Sequence, residues 1–479
     1  MSPKEYIKAR ENGVKCSIID GHPYLPFMNI DTKSDEKSKV ETAKQIVIEI
    51  FFGGNGSNGS SYNGHTHTNG GTTINGSNGD KSDAKGVLLN VEQIQGGITN
   101  ELYHLSGLHN LMQVNPVENG GNTNELLIVS GIPNGNGGNG NGGSGNGDTN
   151  GNNSNTTATS ANDIPNSVLI RIFGGEGMID RDVENSTFAA ISKAGIAPKY
   201  YGRFGNGRIE EYYENIHTLQ VEEMGNNKDV SKSIAIALAT FHSAFTMPKY
   251  LQEYHNVNGP PSMWNQLYSW YEQASADNIV YKSNSDQERA LALNVTQYYD
   301  ELKWLQNAVV PKNSQIGFCH NDLLAANILL DKSKSNNDPK IHLIDFEYGG
   351  MNYFSFDIAN HFNEYAGGTS IAEKSTPNYS LFPSYHQQYT FIRHYLQAYN
   401  NNGKEPTDDE IQSRLKEVES FLLVNHLYWG LWAVNQAATE GSPNDDPTKF
   451  NYLQYAKCRF THYWYMKNNK GSIEEQLPN

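Results

Sequence analysis

The stretch FCHNDLLAANILL, residues 318–330, decides how this chain is read. It sets His320, Asp322 and Asn327 in the order H-x-D-x-x-x-x-N, and the later run IHLIDFEY, residues 341–348, adds Asp345. That order and spacing suit phosphoryl transfer. Asp322 would accept or orient the proton of an attacking hydroxyl. Asn327, opening a short strand, offers a neutral oxygen to magnesium, and Asp345, closing the next strand, offers the anionic oxygen that bridges metal and nucleotide phosphates. A lone Asp after a strand is usually a turn or capping residue. Four polar residues in this order, each beside an apolar strand, argue for chemistry. His320 is the exception, because an imidazole at that loop position more often holds backbone geometry than reacts.

Upstream of this loop the chain is rich in strands. Runs at 87–95, 102–105, 126–129, 168–173 and 208–213 are apolar and bounded by turn residues. DRDVENSTFAAISKA, residues 180–194, keeps a 3.6 period and reads as one helix among them. Two tracts of Gly, Asn, Ser and Thr, residues 53–86 and 130–163, interrupt the region and read as disordered surface loops. Chain closure costs grow only logarithmically with length, so a fold can carry them. From about residue 214 helical periods dominate, at 231–245, 263–274, 287–307, 387–400, 408–436 and 452–466, with short strands at 328–330 and 341–344. The layout is α+β: a strand-rich N-terminal lobe, 1–213, and a helical C-terminal lobe, 214–479, with a cleft expected between them.

QGGITNEL, residues 95–102, lies between two strands where a phosphate-covering loop belongs. Gly96 and Gly97 let backbone approach phosphate oxygens, and Thr99 and Asn100 can donate to them. Arg171, on the 168–173 strand, can fork onto phosphate, with Glu184 on the following helix as an ion-pair partner.

These residues carry a resemblance that spans about residues 87–467. The chain resembles the choline and ethanolamine kinases, within a wider group that includes aminoglycoside phosphotransferases, through GGITNELYHL, VLIRIFG, DRDVENSTF, GIAPKYYGRFGNGRIEEYY, CHNDLLAANILL, LIDFEYGGMNYFSFDIANHFNEYAG and HLYWGLWAVNQA. The resemblance implies a two-lobed protein-kinase-like fold using ATP and Mg2+. It implies Asp322 as base, Asn327 and Asp345 as metal ligands with Glu347 added to that shell, residues 97–102 over the phosphates, Arg171 against them, and the backbone of Glu211 to Tyr213 at adenine. Asp357 reads either as a brace for the catalytic loop or as a bystander.

An alkylammonium ion needs aromatic faces, each worth roughly 0.5–2 kcal/mol, and an acid to balance its charge. Trp429 and Trp432 lie three apart on one helical face. The resemblance implies Phe382, Trp429, Trp432, Phe450 and Tyr455 around the amine, with Glu364 nearby. It favours ethanolamine, through DLLAAN and HFNEYAG, over choline, whose kinases tend to carry Cys-Gln where this chain has Leu323 and Leu324. The product would be phosphoethanolamine, made in the first step of phosphatidylethanolamine synthesis. The stretch 437–450 departs from the family pattern by its length and leaves the position of Phe450 open. Choline kinase, a kinase-like binding protein without turnover, and an antibiotic-modifying phosphotransferase are the competing readings. Retention of Asp322, Asn327 and Asp345 counts against the second, and the paired tryptophans count against the third.

The formal charge of −16 argues against nucleic acid or an anionic membrane surface as partner and is compatible with a small cationic substrate. The three cysteines, Cys16, Cys319 and Cys458, show no metal-ligand spacing, which suits a reducing, cytoplasmic setting. No stretch approaches roughly 18 uninterrupted apolar residues, so membrane insertion is not expected. Homodimerisation stays open.

Overall fold

The computed structural model describes residues 17–19, 22–52, 89–94, 101–108, 164–173, 179–331, 339–370, 373–400, 404–444, 446 and 449–469. The expected phosphate loop (Gly96, Gly97, Thr99, Asn100), the expected strand at 126–129 and both Gly/Asn tracts lie outside these residues. Contacts divide the chain into two compact units, one of residues 5–175 and 199–212, the other of 1–4, 176–198 and 213–479. The helix expected in the N-terminal lobe, Arg181–Lys193, clusters with the larger unit.

In the smaller unit seven strands form one sheet: β1 (Ser17–Ile19), β2 (His22–Leu25), β3 (Asn90–Ile94), β4 (Glu101–Ser106), β5 (Ser167–Ile172), β6 (Tyr200–Phe204) and β7 (Gly207–Glu211). Their order is β1-β2-β6-β7-β5-β4-β3, antiparallel except for β2 beside β6. Along β5, Val168, Ile170 and Ile172 alternate onto the face covered by helix α1 (Glu36–Phe52), whose Ala43, Ile46, Val47 and Ile50 recur at helical spacing and are buried with them. Sequence reading put one helix in this half of the chain and missed α1, because its VIEI core has strand-like composition. The register sets Arg171 opposite Arg208 and Leu169 opposite Glu210.

The larger unit is helical: α2 (Arg181–Lys193), α3 (Val221–Asn226), α4 (Lys228–Ala244), α5 (Ser262–Ala274), α6 (Asn284–Ala292), α7 (Tyr298–Trp304), α8 (Phe354–Glu364), α9 (Tyr385–Asn400), α10 (Asp408–Glu440) and α11 (Tyr452–Asn468). The single helix expected over 287–307 is broken. Asn294 takes φ 47°, a left-handed conformation that stops α6 before α7 begins. Helix α10 starts on a Thr407–Glu410 capping box. From Phe421 to Ala437 all of its residues are buried, so this half forms the axis of the unit, against α8 and α11. Two small antiparallel groupings carry the sequence motif: β10 (Ile328–Asp331) between β8 (Ile216–Thr218) and β11 (Lys340–Leu343), and β9 (Ile316–Cys319) with β12 (Gly350–Tyr353). Among the described residues no helix is long and apolar enough to cross a membrane.

Gly430 is where α10 lies against α11: a Cβ there would overlap the Phe460 ring. Gly430→Ala should cost about 1–3 kcal/mol of stability. A lower urea midpoint at constant slope would show this, and an unchanged midpoint would mean the two helices pack with slack.

Candidate active site

The order of strands brings the motif residues to one end of the hairpins. Cys319 of β9 pairs with Gly350 of β12, so the loop leaving β9 and the loop entering β12 emerge side by side. The first contains His320, Asn321 and Asp322, and the second contains Asp345, Phe346, Glu347 and Tyr348. Asn321 and Asp345 both take left-handed backbone, φ 66° and 64°. Such conformations persist where surrounding bonds over-determine them.

Those bonds converge on Asp357 of α8. Its Oδ2 accepts from the backbone N–H of His320 at 2.7 Å, and its Oδ1 accepts from that of Asn321 at 2.8 Å. His242 of α4 donates from Nε2 to Oδ2 at 3.0 Å, while its Nδ1 accepts from the Tyr395 hydroxyl of α9 at 2.8 Å. Burial alone would raise the Asp357 carboxyl, but the His242 hydrogen bond and nearby imidazoles hold it below the usual range. Asp357 is therefore a brace, touching loop backbone. His320 is structural as expected. Its Nε2 donates to the Ile344 carbonyl at 2.8 Å, tying the two loops, and burial keeps it neutral. The Asn321 amide extends the tie, donating to the Tyr348 carbonyl at 2.9 Å and accepting from Asn352 at 2.8 Å. Cys319, just before this loop, is fully buried, and burial raises its thiol pKa well above the usual value.

Asp322 and Asn327 touch. The Asn327 amide nitrogen donates to the Asp322 carbonyl at 2.8 Å and to its Oδ2 at 3.3 Å, so the amide oxygen is the end that remains for a metal. Burial raises the Asp322 carboxyl far above its ordinary value, helped by the carboxylates of Glu364, Asp345 and Glu347. Glu347 is raised by burial and by Asp345, although Arg181 of α2 pairs with its Oε2 at 2.9 Å. A group of carboxylates that repel one another, next to a free amide oxygen, is the hard-oxygen donor set that suits magnesium. A cleft of about 570 Å³ opens beside these loops, with Asp180, Glu184, Glu347, Tyr348 and Tyr428 in its lining.

The aromatic residues form a connected wall. Trp429 and Trp432 on α10 meet edge to face at 5.4 Å, Trp432 meets Tyr452 at 5.6 Å, Tyr452 meets Phe450 at 4.9 Å, and Phe450 meets Tyr455 at 5.7 Å. Glu364, at the end of α8, is 3% exposed. Arg459 reaches its Oε1 at 3.4 Å, while its Oε2 is buried without a hydrogen-bond partner. Phe382, partly exposed after the 3₁₀ turn Tyr379–Leu381, stands outside this chain of rings among the described residues.

The family model for choline/ethanolamine kinase matches residues 114–464. The chain belongs to the choline/ethanolamine kinase family. A probable ethanolamine kinase of Arabidopsis thaliana is 33% identical over 301 residues, 62% of this chain and 71% of its own length. A probable choline kinase of the same plant is 31% identical over 312 residues, 64% of this chain and 81% of its own. Among solved structures, an ethanolamine kinase of Plasmodium vivax superposes with a TM-score of 0.57 at 23% identity, covering 78% of this chain and 81% of that one, which speaks for the fold alone. The fold is the α+β, two-lobed, protein-kinase-like one, and the chain is a kinase acting on an alcohol.

The residues that the family resemblance led us to expect at the nucleotide are found in both units. In the smaller one, Arg171 and Arg208 both donate from Nε to Glu210 Oε1, at 2.7 and 2.6 Å, so two guanidiniums share one buried carboxylate. Glu211 closes β7, its N–H bonded to the Lys199 carbonyl at 2.8 Å. In the larger one, Tyr213 packs on His342 at 4.1 Å, and Glu184 accepts from the Asn185 amide at 3.1 Å. Sequence reasoning missed Tyr348, whose hydroxyl accepts from Trp432 Nε1 at 3.0 Å and whose ring meets Trp429, and it missed Arg459. The signal for Arg459 was its place one turn after Tyr455 on a helix.

Asp357→Asn should leave at least one of three buried donors facing an amide NH2, costing about 1–3 kcal/mol in unfolding free energy, with turnover falling alongside. An unchanged melting temperature would remove Asp357 from the bracing role.

Proposed function

We propose that this chain transfers the γ-phosphoryl group of ATP to the hydroxyl of ethanolamine, giving phosphoethanolamine. The observation that carries the reading is the Oε2 atom of Glu364, buried beside an aromatic wall with no partner. A primary ammonium has three N–H donors to satisfy such an acceptor, whereas a quaternary one has none and would leave it unpaired. The rings of Trp429, Trp432, Phe450 and Tyr455 would hold the cation, with Phe382 at the rim. The same rings would attract a quaternary ammonium, so choline is the second reading.

In this mechanism Asp322 takes the hydroxyl proton as the oxygen attacks the γ-phosphorus and the ADP oxygen leaves. Asn327 keeps the carboxylate of Asp322 oriented through the bond to its side chain. Asn327, Asp345 and Glu347 would hold magnesium, which when bound neutralises phosphate charge. Arg171 would meet phosphate oxygens, with its Nε held by Glu210. Gly96, Gly97, Thr99 and Asn100 would cover the phosphates, Glu184 would support the nucleotide side, and the backbone of Glu211 to Tyr213 would meet adenine. The product would enter phosphatidylethanolamine synthesis in the cytoplasm.

Turnover of ethanolamine and choline, in parallel below saturation with ATP and magnesium, tests the substrate. Faster choline turnover would overturn ethanolamine as the preferred acceptor. Asp322→Ala and Asp345→Ala should each lower kcat about 10²- to 10⁴-fold with the circular dichroism spectrum unchanged. Near-normal kcat in either would refute its role.

Glu364 also sets a pH dependence. Burial pushes its carboxyl up to about 7, Arg459 works against this and Glu373 adds to it, with Asp322, Tyr379 and Tyr455 facing the same space. The carboxylate charge that draws an ammonium is present above that value and lost below it. The KM for ethanolamine should therefore fall as pH rises through about 7. In Glu364→Gln the KM should be higher and flat over that range, and a retained slope would assign the titration elsewhere.

A further inference from the structure

The amine-binding reading above depends on how two sets of rings are spaced: Trp429 and Trp432 on α10, and Phe450 and Tyr455 at the start of α11. Further along α11, Arg459 bonds to Asn425 of α10 and Phe460 packs on Gly430, but Phe450 precedes the helix and Tyr455 lies in its first turn. The bonds that tie this start of α11 to the end of α10 are gathered by α6, a helix that contributes no ring to the wall.

We propose that Arg289 and Asp286 of α6 form a clasp that joins the end of α10 to the start of α11 and so positions Phe450 and Tyr455 for the amine. Asp286 Oδ2 accepts from the Ser442 N–H at 3.1 Å, just past α10, and its Oδ1 accepts from Arg289 Nη2 at 2.7 Å. Arg289 Nη1 donates to Asn444 Oδ1 at 2.8 Å and to Asn451 Oδ1 at 3.0 Å, and its Nη2 also donates to the Ser442 carbonyl. Asn451 is the N-cap of α11: its Oδ1 accepts from the Gln454 N–H at 3.1 Å and from the Ser442 hydroxyl at 2.8 Å. The Ser442 hydroxyl accepts in turn from the Leu453 N–H at 2.8 Å, and the Asn451 N–H donates to Ser375 at 2.8 Å. Ser442 and Asp286 are 0% and 3% exposed, so the bond between them has no competition from solvent, while the Arg289–Asn444 bond lies at the surface.

The geometry asks for a guanidinium in particular. One planar fork reaches Asp286, Ser442, Asn444 and Asn451 together, which an ammonium on a flexible stem cannot do. Phe450 and Tyr455 lie one residue before and one turn after the Asn451 amide that the fork holds. Arg289 is thus a positioning residue: it touches neither reacting atoms nor the wall, and it acts on amine affinity through Asn451. The inference rests on the amine-binding reading, and its test separates the two.

The test uses the full chain with Arg289→Ala, Arg289→Lys and the milder, partly exposed change Asn444→Ala. Steady-state kinetics with ethanolamine and ATP are read together with hydrogen exchange at the amides of Leu453 and Gln454. For Arg289→Ala the KM for ethanolamine should rise about tenfold, with the KM for ATP and kcat within about twofold, and both amides should exchange faster. Arg289→Lys should behave like the alanine variant, and Asn444→Ala should move both readouts in the same direction by less. If Arg289→Ala does not fold, the lysine and Asn444 variants carry the test. Unchanged exchange would overturn the clasp, and faster exchange with an ethanolamine KM within about twofold would overturn its role in amine binding. If the unaltered chain turns over neither ethanolamine nor choline, the amine-binding reading fails, while the exchange data still decide whether the clasp holds α11.

Discussion

Two backbone N–H groups, those of His320 and Asn321, point into the interior of the larger unit where no water competes for them. A buried donor without an acceptor costs as much as a lost hydrogen bond, so a carboxylate must meet them there. Asp357 does so with one oxygen each. The rest of the unit follows from placing that carboxylate. Helix α8 must be buried on all sides to deliver it, and every residue of α8 is buried. Helices α4 and α9 must close over it, and they contribute His242 and Tyr395. The left-handed turn at Asn321, costly elsewhere, is held from both sides by these bonds and by Asn352.

Charge is distributed by the same logic of burial. His242, His320, His361 and His426 are buried and shifted toward neutrality, and the first three serve as hydrogen-bonding groups rather than as counterions. The carboxyls of Asp322, Glu347 and Glu364 are pushed the other way, against the Asn327 amide on Asp322, Arg181 on Glu347 and Arg459 on Glu364.

What could be read in the sequence was what is local. The 320–327 loop was legible as a unit because Asp322 and Asn327 stand between two short apolar strands, and the long helices were legible from their periods. Helix α1 was not, because β-branched residues at helical spacing also satisfy a strand. The break at Asn294 was not, since one left-handed residue leaves the apolar period on either side intact. Partners far apart in the chain were invisible: Arg181 meets Glu347 across 166 residues and Arg459 meets Glu364 across 95. Phe450, whose place the sequence left open, packs between Tyr452 and Tyr455 because bonds from a different helix determine where its segment runs.

Cys319 is the last residue of β9. Its sulfur sits immediately before the catalytic loop, wholly shielded, with its thiol pKa raised by burial and by Asp357. Only a thiolate attacks an alkylating reagent, so this sulfur is silent while the loop is seated and becomes reactive only when the loop lifts from its support. Cys458, half-buried on α11, has no such dependence on the loop. The protein thus carries an internal clock: the rate at which Cys319 is trapped measures how often the catalytic loop breathes, and bound ligands that seat the loop would slow it.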